Sequence, residues 1–175
     1  MYTALLPKLR FLSTQDELFK GIHMNNDEVI STLNDLIETC KDGEESYKTC
    51  AADAAKRKSD LQAVFGTLQH SCASAAAELQ DVVRTAGGKP RTESSVGDAI
   101  HRGWVNLKGA IGGHNDEAVL AECERGEDSA KHNYSVALEQ ELPAQFRAVV
   151  ERQYQGVLVN HTKIKALRDQ FKVAV

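Results

Sequence analysis

Two carboxylates stand where helical periodicity calls for apolar side chains. Glu44 falls between Cys40 and Tyr47, and Glu127 falls between Cys123 and Tyr134. Gln69, Gln153 and His161 interrupt similar stripes elsewhere. A buried carboxylate is costly unless it is paired, hydrogen-bonded or bound to metal. Two inward carboxylates on different helices are half of a di-iron carboxylate site, which takes one Glu from each of two helices and Glu-x-x-His from each of the other two. The Glu-x-x-His pairs are missing. Gln69 and Cys72 stand at that spacing on one segment, and Gln153, Gln155 and His161 stand on another without it. The pattern therefore predicts either a buried polar network or an altered metal site. Iron is the candidate metal, and Glu44, Glu127, Glu124 and His161 are the candidate ligands. Cys40, Cys50, Cys72 and Cys123 follow no C-x-x-C spacing, which argues against zinc and for free thiols in a reducing cytoplasm.

The elements that must position these groups are long helices. Proline occurs only at 7, 90 and 143, so long stretches lack the strongest helix breaker. Apolar residues recur every three or four positions, and alternating strand-like runs are nearly absent. The spacing predicts helices over 26–57, 61–86, 115–141 and 143–171, and a shorter one over 96–111. Asn25 or Asn26 caps the first, with Asp27 and Glu28 on its positive end. Gly87 and Gly88, followed by Pro90, stop the second. Gly43, Gly126 and Gly156 sit inside helices, where each costs about 1 kcal/mol relative to Ala; close helix approach, or room for a large neighbour such as Tyr47 or Tyr154, accounts for them.

Very short turns join the first two long helices and the last two, so each pair is an antiparallel hairpin. The long middle connection carries its own helix and reaches back along the bundle. The expected fold is all-α: a ferritin-like four-helix bundle of two hairpins joined by a long crossover. Counting from the turns sets Glu44 opposite about Cys72 and Glu127 opposite about Val157, so the two carboxylates meet at mid-bundle. The domain is expected over 25–172, with 1–24 as an extension. His101 and Trp104 fall on the crossover helix, where Trp104 staples it to the bundle. The run from Glu122 to Asp128 reads as a solvated face.

Composition narrows the function classes. The chain has 175 residues with 42% hydrophobic and 26% charged, enough for one domain with a core. Its 21 basic residues against 25 acidic ones leave a net charge of −4. With no Lys/Arg cluster, this disfavours nucleic acid as a partner. No run is long enough to span a membrane.

The chain resembles an uncharacterised bacterial family of four-helix-bundle proteins grouped with the ferritin-like superfamily. The likeness rests on residues 33–38 followed by Lys41-Asp42-Gly43, on Ala77-Glu78-Leu79, His101-Arg102-Gly103-Trp104 and 122–128, and on 153–157 with Asn160-His161. It implies the fold and no particular activity. Three readings follow. The first is a non-enzymatic, stress-associated bundle that acts through self-association, as a homo-oligomer, or through a protein partner. The second is an iron-binding bundle with a degenerate di-iron site. The third is a binder of a small ligand in the bundle core, which requires a pocket of roughly 300 Å³.

Overall fold

A computed structural model describes residues 24–93, 107–113 and 115–173. Residues 1–23 of the expected extension over 1–24, and the part of the expected crossover helix that carries His101 and Trp104, lie outside the described residues. Within them the chain forms five α-helices and no strand: α1 (Asn26–Arg57), α2 (Leu61–Thr85), α3 (Leu107–Gly112), α4 (Asp116–Glu139) and α5 (Ala144–Val173).

Local chemistry fixes the boundaries. The Asn25 side chain accepts from the Glu28 backbone N–H while the Glu28 carboxylate accepts from the Asn25 N–H, both at 2.9 Å, a complete capping box. At the other end of α1, Lys58 takes the left-handed conformation (φ 56°), and the N–H groups of Lys58 and Ser59 return to the carbonyls of Ala55 and Ala54. Helix α2 ends with Gly87 at φ +80°, where Gly87 N–H bonds Arg84 O (3.0 Å) and Gly88 N–H bonds Val83 O (2.9 Å). That left-handed position is one a side chain would strain. Asn115 caps α4 by accepting from Glu117 and Ala118.

Cross-helix partners give the packing. From α1 to α4 the bonded pairs are Thr32–Gln140, Thr39–Asn133, Cys40–Tyr134, Tyr47–Glu127 and Arg57–Asp116. From residue 32 to residue 57 of α1 the partner numbers fall from 140 to 116, so α1 and α4 are antiparallel neighbours. Helix α5 meets α4 at Tyr134–Gln153 and α2 at Gln153–Glu78. Beyond α2 the chain lies against α1. Asn26 donates to Ala86 O, Asn34 bonds both Lys89 O and Arg91 N–H, and Arg91 pairs with Glu38. At the opposite end, Asp116 at the start of α4 is held by Arg57 (2.6 Å) and Ser59 (3.0 Å).

The core divides into two apolar blocks. One holds Leu33, Ile37, Leu79, Val83, Ala137, Phe146 and Val150; the other holds Ala54, Leu61, Phe65, Leu68, Val119, Leu120 and Ile164, with Leu107 of α3 on its flank. All four long helices contribute to both. Between the blocks lies a layer of different composition.

A polar layer and cavity at mid-bundle as the candidate functional site

At the same height each long helix changes from large apolar residues to small and polar ones. Gly43 on α1, Ser71, Cys72, Ser74 and Ala75 on α2, Gly126 and Ala130 on α4, and Gly156 on α5 all line one cavity of about 240 Å³. The mid-helix glycines act in two ways. A Cβ on Gly43 would stand 3.0 Å from Cys72 Sγ, so this glycine permits close approach of α1 and α2. A Cβ on Gly156 would meet nothing within 4 Å, so that glycine leaves open space. Ser71, Ser74 and Gly156 are exposed, and the cavity opens between α2 and α5.

Glu127 enters this cavity from α4. It is only 5% exposed, and its Oε1 accepts a hydrogen bond from Tyr47 Oη at 2.6 Å. Burial pushes its pKa from 4.5 to about 7; the Tyr47 bond works in the opposite direction, and the neighbouring Asp128 adds a smaller upward push. A second chain of bonds runs across the layer. Tyr134 Oη donates to Gln153 Oε1 (2.7 Å) and receives the Cys40 thiol (3.2 Å). Gln153 Nε2 donates to Ala75 O (3.2 Å) and to Glu78 Oε2 (2.8 Å). Arg152 pairs with the other oxygen of Glu78 and holds that carboxyl below its usual range. Burial raises the Cys40 thiol to about 11 and raises Cys72, Tyr47 and Tyr134 as well. The layer thus offers protonated thiols and phenols, which are poor nucleophiles, around one carboxyl that changes charge near neutral pH.

The four residues expected to act together are distributed differently. Glu127 lines the cavity. Glu44 is half-buried and its carboxylate pairs with Lys41 at 2.8 Å. It stands at the expected height, since both Glu44 and Glu127 raise the thiols of Cys40 and Cys72 electrostatically. Glu124 pairs with Arg168, and His161 Nε2 lies 2.9 Å from Asp128 Oδ1. Among the described residues no three or more His, Cys, Asp or Glu side chains gather closely enough to hold a metal ion. The donor set that a di-iron centre requires is not assembled there.

Residues 28–140 match the model of a domain of unknown function, DUF2383. The chain belongs to this family. None of the curated proteins compared with the chain matches it. The DUF2383 match takes in α1, α2 and α4, which supply Tyr47, Cys72, Glu127 and Tyr134, and ends before α5, which supplies Gln153 and Gly156.

Several functional groups escaped the sequence reading. Tyr47 and Tyr134 were legible as core positions, but their hydroxyls turn out to organise the polar layer. The available signal was their placement one to two turns from Glu127 and Cys40, since a buried tyrosine needs a partner for its hydroxyl. Glu122 lies in the run read as solvated, yet it is fully buried and paired with Arg125. No stripe position marked it, because the helix is buried over a wider arc there than a single stripe covers.

Proposed function

We propose that this chain is a non-enzymatic helical bundle that holds a small molecule in its mid-bundle cavity. One observation carries the reading: four helices open a cavity of about 240 Å³ at a common height, around a buried carboxyl. The volume lies below the roughly 300 Å³ of drug-sized sites, so the ligand is compact. The protonated thiols and phenols around it favour binding over chemistry. In this reading the bundle has ferritin-like connectivity, two hairpins joined by one long crossover. Two facts support that connectivity: Ala86 lies beside the first turn of α1, and Asp116 lies beside its last residue.

The test is a ligand screen followed by amide chemical-shift mapping, run on the full chain and on Gly156→Leu. A leucine at 156 starts from a Cβ with open space around it and fills the mouth. Binders that perturb Tyr47, Glu127 and Gln153 in the parent and are lost in Gly156→Leu support the reading. Binders that map elsewhere, or that persist unchanged in the variant, overturn it. Added Fe²⁺ is a separate arm. Stoichiometric uptake that disappears in Glu44→Ala and Glu127→Ala establishes the iron-binding alternative in its place.

A further inference from the structure

Glu127 differs from three other buried acids. Glu38, Asp53 and Glu122 are similarly buried, and each carries an arginine: Arg91, Arg57 and Arg125. Among the described residues Glu127 has no cationic partner. Its Oε1 is held by Tyr47, and no described residue donates a hydrogen bond to Oε2. The cavity around it is lined by three acids, Asp42, Glu78 and Glu127, against one base, Arg152, which is already engaged with Glu78. Two aromatic side chains, Tyr47 and Tyr134, complete the lining; Phe65 stacks on the first (centroids 6.3 Å apart) and Tyr154 on the second (6.5 Å). An acid lacking a cation, set among aromatic rings, is the chemistry that recognises an ammonium group. Size agrees, since a cavity of about 150 Å³ takes benzene and this one is larger.

We propose that the cavity binds a compact organic ammonium ion, its nitrogen on the free oxygen of Glu127 and its apolar body against Tyr47, Tyr134 and Val157. Ser129 and Asn160, also on the wall, offer oxygens to the remaining N–H donors. The inference rests on the ligand-binding reading and names the class of ligand.

Isothermal titration of the full chain with benzylamine, its neutral analogue benzyl alcohol and its anionic analogue benzoate tests it. Benzylammonium binds, benzyl alcohol binds roughly tenfold to a hundredfold more weakly, as the loss of a charged hydrogen bond requires, and benzoate does not bind. Glu127→Gln, which keeps an acceptor for Tyr47, removes the preference for the amine over benzyl alcohol.

A pH profile adds a second readout. Glu127 faces Tyr47 and Cys40 of α1, Cys72 of α2, and Cys123 and Asp128 of its own helix, with Asp128 paired to His161 of α5. Burial keeps the thiols and the phenol protonated throughout, and a His161→Gln background removes the imidazole from the profile. With Glu127 titrating at about 7, amine affinity rises roughly thirtyfold from about pH 5.5 to about pH 8, while that of benzyl alcohol stays flat. If Glu127→Gln does not fold, the parent's amine-to-alcohol ratio and pH profile decide.

Equal binding of amine and alcohol, with no pH dependence, overturns the ammonium inference and leaves the ligand-binding reading standing. If none of the probes binds while the screen finds other cavity ligands, the inference alone falls. If nothing enters the cavity, both fall.

Discussion

Replacing Glu127 with Gln should make the protein more stable, and only above a definite pH. In the unfolded chain this carboxyl loses its proton near 4.5; in the folded bundle, 5% exposed, it keeps it to about 7. Between those values the folded state binds more protons than the unfolded state, so each rise in pH weakens the fold. The loss is complete once the pH exceeds the folded value. At about 1.4 kcal/mol per pH unit, the interval amounts to about 3 kcal/mol. Glutamine is nearly isosteric and still offers an oxygen to Tyr47 Oη, so the hydrogen bond is kept and the charge is removed.

Urea unfolding followed by far-UV circular dichroism, from about pH 4.5 to about pH 8.5, measures the effect. Parent and variant should coincide at the acid end and separate steadily, until at about pH 8 the variant leads by about 3 kcal/mol, or roughly 6–12 °C in Tm for a chain of this size. Taking the difference between the two proteins cancels the titration of every group they share. Parallel profiles, or a variant no more stable than the parent at about pH 8, would refute the claim that Glu127 is a desolvated acid ionising near neutrality.

Four further substitutions probe the same layer and its supports. Tyr134→Phe strips the hydroxyl that bridges Cys40 and Gln153 and should cost about 1–3 kcal/mol in urea unfolding, because Gln153 Oε1 loses its donor. Gly156→Ala should gain up to about 1 kcal/mol from helix propensity, since its Cβ meets open space, whereas Gly43→Ala should gain nothing or lose stability against Cys72 Sγ at 3.0 Å; thermal melts of the pair give the order. Asn25→Ala removes one half of the α1 capping box and should cost about 1 kcal/mol, read as a lower urea midpoint with an unchanged slope.

Helix positions were legible because their determinants are local. Asn25, Gly87 and the apolar spacing act within one or two turns, and the expected spans 26–57 and 61–86 agree with α1 and α2 to within a residue. The height of the site was legible too, because residues per turn and the position of a tight turn fix the register. Glu44 was expected opposite Cys72, and it is the adjoining Gly43 that touches Cys72. Side-chain direction was not legible. Positions 43 and 44 are neighbours separated by about 100° of helix rotation, enough to put one in the cavity and the other beside Lys41. The pairing of Glu124 with Arg168 and of His161 with Asp128 depends on the rotation of α4 against α5, which no pattern within either helix specifies.

Packing gives no reason for the layer itself. The two apolar blocks are each complete across all four helices, and a bundle shaped by stability alone would carry leucine or alanine at 127, 153 and 156 as it does above and below. Instead, glycine replaces side chains at 43, 126 and 156, and 127 carries an acid that has no cationic partner among the described residues. Each change costs stability by itself, the glycines through helix propensity and the acid through desolvation. Sequence drift would scatter such costs along the helices. Their convergence at one height, on α1, α4 and α5 and around one opening, is what the proposed binding site requires: the glycines and small residues supply volume, and Glu127 supplies the single strong contact that an apolar void lacks.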